Sequence, residues 1–133
     1  MQHTSDNNKA TTWQSKKEFS DELARLRKEH RYSLRQLADK VEVTASYLSG
    51  LERGMNKPPS EAVLRKLART FMDSEDRIIF LAGRIPSDLT DILKTDILRY
   101  AKILRRFSEM SCEEQDEFIK LVLEMSQSLP VNQ

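Results

Sequence analysis

The side chains that most often carry chemistry are few in this 133-residue chain, and they stand apart. There is one cysteine, Cys112, and there are two histidines, His3 and His30. A single thiol excludes an internal disulfide, and the three residues show no metal-ligand spacing. No nucleophile–base set, glycine-rich phosphate loop or metal cluster is legible, so no enzyme activity, cofactor or metal is expected. The chemistry the sequence does offer is recognition. Ser33, Arg35 and Gln36 open a stretch whose outer positions are then Thr44, Ala45, Ser46, Tyr47, Ser49 and Gly50, with Arg53, Asn56 and Lys57 at its end. Small residues let a helix backbone approach base edges in the major groove of double-stranded DNA. Hydroxyl groups can bond there, and an arginine can reach a guanine or a phosphate.

Such residues need rigid helices to present them. Only Gly50, Gly54 and Gly83 are present, too few for the turns of a sheet-rich fold, so the chain reads as all-α. Residues 1–14 are polar and aperiodic and read as a disordered tail. Ser15 with Glu18 forms a capping-box pattern that opens a first helix to about His30, with Phe19, Leu23 and Leu26 inward. Ser33 with Gln36 repeats that pattern before Leu34, Leu37, Ala38 and Val41. The turn is Val41-Glu42-Val43. Thr44 caps a third helix with Leu48 and Leu51 inside, and Gly54 stops it. Pro58 and Pro59 prevent continuation. Ser60 caps a fourth helix to about Thr70, lined by Val63, Leu64, Leu67 and Ala68. A fifth covers about Ser74 to Ala82, with Ile78, Ile79 and Leu81 apolar, and Gly83 ends it.

Beyond Pro86 the texture changes. Residues 88–108 form one long amphipathic pattern through Leu89, Ile92, Leu93, Ile97, Ala101, Leu104 and Phe107. Ser111 and Glu114 open a last helix, in which Phe118, Leu121, Val122, Met125 and Leu129 make one stripe. Ile119 and Leu123 widen that stripe onto a second face. So wide an apolar arc needs cover on two sides, which one hairpin cannot supply. The reading is a helix-turn-helix domain over 15–84 and a C-terminal two-helix dimerisation hairpin over 85–133, pairing with its twin in a homodimer.

Charge divides in the same place. Residues 1–70 carry 14 Lys/Arg against 9 Asp/Glu, and residues 71–133 carry 8 against 12. A basic front suits a polyanion, and the acidic back another task. No signal-peptide pattern and no membrane-spanning run is present, so a cytoplasmic location is expected.

The run SLRQLADKVEVTASYLSGLERGMNKPPSEAVLRKLA resembles the helix-turn-helix domain of the phage-repressor/Cro family, the xenobiotic-response-element (XRE) regulators. Leu37-Ala38, Leu48-Ser49, Glu52-Arg53-Gly54 and Pro59-Ser60 carry the resemblance, which covers about residues 19–82. It implies a salt bridge between Arg27 and Glu52, base-facing positions at Ala45, Ser46 and Gly50, and a phosphate-facing loop of Arg53, Asn56 and Lys57. Two positions depart from the family. Leu34 stands where a phosphate-binding glutamine is usual, which moves that contact to Arg35 or Gln36 or removes it. Glu42 replaces the turn glycine, so a strained or altered turn is expected. The resemblance implies a homodimeric repressor on an inverted-repeat operator. An antitoxin that binds a partner toxin and autoregulates its operon is the alternative left open. The segment LAGRIPSDL with its acidic tail is also similar to repressors controlled by a partner metallopeptidase.

Overall fold

The computed structural model describes the backbone of residues 7–129 and the side chains of residues 16–129. Its elements are α1 (Asn7–Glu29), α2 (Leu34–Val41), α3 (Ala45–Glu52), α4 (Glu61–Thr70), α5 (Glu75–Leu81), α6 (Ser87–Thr95), α7 (Ile97–Ser108) and α8 (Cys112–Ser128). The all-α class holds: no strand occurs among the described residues. The chain divides into two units, residues 1–90 and 91–133.

In the first unit α1 begins earlier than its expected cap. No proline or glycine lies between residues 7 and 29, so the helix runs through Ser15, and residues 7–14 are helical where a tail is predicted. Residues 1–6 and the side chains of His3, Trp13 and Ser15 lie outside the described residues. The later caps form where the sequence places them. Ser33 Oγ accepts from the Gln36 amide at 3.1 Å while Gln36 Oε1 accepts from the Ser33 amide at 2.9 Å, a complete capping box. Thr44 and Ser60 accept from the amides of Tyr47 and Val63.

All five helices close on a left-handed residue: Arg31, Glu42, Gly54, Met72 and Gly83. At Gly54 the closure is typical, with the Gly54 amide donating to Leu51 O and the Met55 amide to Gly50 O. Glu42 adopts the same conformation at φ 59° and ψ 45°, so the turn keeps the backbone of the family's glycine with a side chain attached. Its carboxylate pairs with Lys66 of α4, which ties the turn to the domain.

The core gathers the predicted inner faces: Phe19, Leu23 and Leu26 of α1, Leu37, Ala38 and Val41 of α2, and Leu48 and Leu51 of α3. Leu64, Leu67 and Ala68 of α4 and Ile78 and Ile79 of α5 complete them. Phe71, just past α4, is also buried, and its ring lies 5.2 Å from that of His30. Around this core, Arg65 bridges Glu61 and Glu75, and Arg77 bridges Asp73 and Glu22. The start of α6 is tied down as well, because Glu61 accepts from the Ser87 amide and hydroxyl.

The helix expected over residues 88–108 is divided. Asp96 Oδ1 accepts from the Arg99 amide at 3.2 Å and caps α7 as a separate helix. Within the second unit, the Phe107 and Phe118 rings are 5.7 Å apart and Gln115 Nε2 donates to Phe107 O. No residue of α6, α7 or α8 is buried.

Candidate nucleic-acid interface

The pair α2 and α3 is joined by a tight turn through Glu42, and the two N-caps, Ser33 and Thr44, are both exposed. Along α3 the inward residues Leu48 and Leu51 are buried, and the opposite side offers Ser46, exposed, and Ser49, half-buried; Ala45 and Tyr47, expected at the DNA face, are half-buried because they pack against the core. Arg35 and Gln36 stand exposed on the first turn of α2, and Arg53 and Lys57 stand exposed after α3. Gln36 Oε1 is held by the Ser33 amide, and Leu34 packs against the core. Arg35 is thus the side chain of that turn whose charge stays available.

The structure separates Gly50 and Asn56 from the rest of the expected contact set. Gly50 is buried, because Asn56 folds back over it and donates from Nδ2 to Tyr47 O at 3.2 Å. A Cβ at position 50 would overlap the Asn56 amide. The small residue leaves room for the Asn56 side chain, which is itself half-buried at the surface.

Arg27 and Glu52 meet as the resemblance implies. Arg27 Nε donates to Glu52 Oε1 at 2.5 Å and Nη2 to Oε2 at 3.1 Å, and Nη1 donates to Tyr32 O at 2.9 Å. The bond to Glu52 raises the Arg27 pKa above its ordinary value. The pair fixes the end of α3 against α1, so the position of the outer face of α3 is set by two helices.

Charge is arranged around this face. Arg25, Arg27, Arg65, Lys66, Arg69 and Arg77 all form ion pairs. Arg35, Arg53 and Lys57 form none among the described residues. No group of three His, Cys, Asp or Glu suited to a metal ion occurs among the described residues. No helix there is long and apolar enough to cross a membrane.

Two helices joined by a tight turn, the second with a polar outer face flanked by unpaired cations, define a helix-turn-helix DNA-binding regulator. Comparison with known proteins agrees. The helix-turn-helix family model matches residues 23–71. The solved structure of SinR, the master regulator for biofilm formation, in complex with DNA is 35% identical. That match covers 45% of this chain and 95% of that one, with a TM-score of 0.42. A complex of SinR protein with SinI protein matches at 26% identity over 83% of this chain and 99% of that one, with a TM-score of 0.44. The clp gene regulator ClgR from Corynebacterium glutamicum matches at 24% identity over 65% and 88%, with a TM-score of 0.46. No curated protein sequence matches the chain. Residues 23–71 thus belong to the helix-turn-helix family that this model describes.

Proposed function

We propose that the protein is a homodimeric repressor that sets the outer face of α3 in the major groove of an inverted-repeat operator. The observation that carries this reading is the outer side of the helix-turn-helix, where Ser46 is exposed opposite buried Leu48 and Leu51. Arg35, Arg53 and Lys57 stand exposed beside it and form no ion pair among the described residues. Ser33, Arg35, Gln36, Arg53 and Lys57 hold phosphates, and Thr44, Ala45, Ser46, Tyr47 and Ser49 face bases. Gly50 and Asn56 support them from beneath.

A single small module buries little surface on DNA, and two half-sites multiply its affinity. The C-terminal helices supply the means. Phe118, Leu121, Val122 and Met125 of α8 and Leu129 just past its end are exposed. Helix α7 carries Arg99, Lys102, Arg105 and Arg106, and α8 carries Glu113, Glu114, Asp116, Glu117 and Glu124. A second copy offers both the missing apolar cover and opposite charge. Paired in this way, the recognition helices stand about 34 Å apart or a multiple of it.

Selection of bound duplexes from a random pool tests the proposal. A near-palindrome with two half-sites is expected. Enrichment of one isolated half-site overturns the dimer, and no enrichment at all overturns specific recognition.

A further inference from the structure

Beside the C-terminal end of α3 lies a cleft of about 340 Å3 that the helix-turn-helix itself does not explain. One wall is α1, contributing Lys16, Lys17, Ser20 and Asp21, and the other is the closure of α3 at Glu52, Arg53 and Gly54. The Arg27–Glu52 pair ties α1 to the end of α3, and Glu52 itself lines the cleft. Ser20 is buried at its floor, donating to Lys16 O at 2.9 Å.

The acids of the cleft differ in what they can offer. Glu52 is committed to Arg27, while Asp21 is exposed on the α1 wall. Lys17 and Arg53 are exposed and form no ion pair among the described residues, and Arg53 spends only its Nε, on Ser49 O at 3.4 Å. A cleft with an exposed cation on each wall suits an anion of one or two charges. Its place, next to the end of the helix that enters the groove, suits a backbone phosphate.

We propose that this cleft takes a DNA phosphate, held between Lys17 of α1 and Arg53 of α3. The long α1 is then a second arm on the DNA backbone, and Lys17 is a contact residue outside the helix-turn-helix. The inference rests on the DNA-binding reading above.

The test uses the full chain and a selected operator duplex, with affinity measured across a salt series. Lys17→Gln should lower the slope of log affinity against log salt by about 0.9. Lys17→Arg should keep the wild-type slope, and Lys57→Ala serves as a reference for a contact within the domain. A second measurement scans the duplex with single neutral methylphosphonates. One position should weaken wild type several-fold yet leave Lys17→Gln unaffected. An unchanged slope in Lys17→Gln, beside a lowered one in Lys57→Ala, overturns the cleft contact and leaves DNA binding standing. A wild-type slope near zero overturns both.

Discussion

Arg27 of α1 and Glu52 at the end of α3 are joined by two parallel hydrogen bonds, with only 14% and 11% of their side chains exposed. A charge so placed tolerates the loss of its partner poorly. Glu52→Ala should cost about 2–4 kcal/mol of stability, since it strands a mostly buried guanidinium that keeps only its bond to Tyr32 O. Glu52→Gln should cost less, because one acceptor remains. Urea midpoints decide it. A mutant that melts like wild type but no longer binds DNA would make Glu52 a contact residue instead.

Gly50→Ala should disturb a loop rather than a helix. The new methyl group displaces Asn56, which then loses Tyr47 O at a cost of about 1–2 kcal/mol, offset by the roughly 0.5–1 kcal/mol that alanine gains inside a helix. Since both effects run through one side chain, the double substitution Gly50→Ala with Asn56→Gly should fall well short of additive. Additive losses in a denaturation cycle would remove the proposed link.

Met72 holds a left-handed conformation at φ 53° with its side chain 86% exposed. Glycine adopts that conformation without the Cβ penalty, so Met72→Gly should stabilise the domain by roughly 0.5–1 kcal/mol. Glu42→Gly should gain less, because it also removes the pair with Lys66. Calorimetry of the two variants ranks them, and a lower melting temperature for Met72→Gly contradicts the account.

Acid sensitivity should trace in part to Glu22. Hydrogen bonds from Arg25 first and then Arg77 hold its carboxyl down to about 2. The unfolded chain therefore binds the proton more readily. This contribution is complete above the ordinary carboxylate range and is lost as pH falls from about 4.5 toward 2. Glu22→Gln should flatten the stability profile within that window and lower the plateau above it. An unaltered profile would show the pairing to be inert.

Leu121→Glu with Met125→Glu should give a monomer whose first unit still folds. A chain ending after Thr90 should behave alike, because it keeps the Ser87–Glu61 contacts that a cut at Pro86 would sever. Sedimentation at micromolar concentration separates the outcomes. Dimers in both variants would place the interface within the first five helices.

Most of the fold was legible because its signals are local. Ser33 with Gln36, Thr44 and Ser60 mark helix starts within four residues, and Leu37, Leu48 and Leu64 fall where helical period puts them. The break at Asp96 is hidden in the sequence because Leu93 and Ile97 keep the apolar rhythm across it, leaving only the Asp itself as a sign. Phe71 lies one residue past α4 yet continues the spacing of Leu64, Leu67 and Ala68, so the period extends one position beyond the expected helix end at Thr70. At the site, Gly50 reads as a base-facing gap. Its covering partner is Asn56, beyond the helix end, and residue type alone does not distinguish closeness to DNA from closeness to a loop.

Helices α6, α7 and α8 contain no buried residue. Helices with so little tertiary cover are marginal in water, so much of their order depends on whatever comes to cover them. Amide hydrogen exchange in α7 and α8 will then slow as the chain is concentrated, while α2, α3 and α4, which have buried faces of their own, exchange at a rate indifferent to dilution. With a second copy as that cover, the order of this smaller unit would report how much of the protein there is.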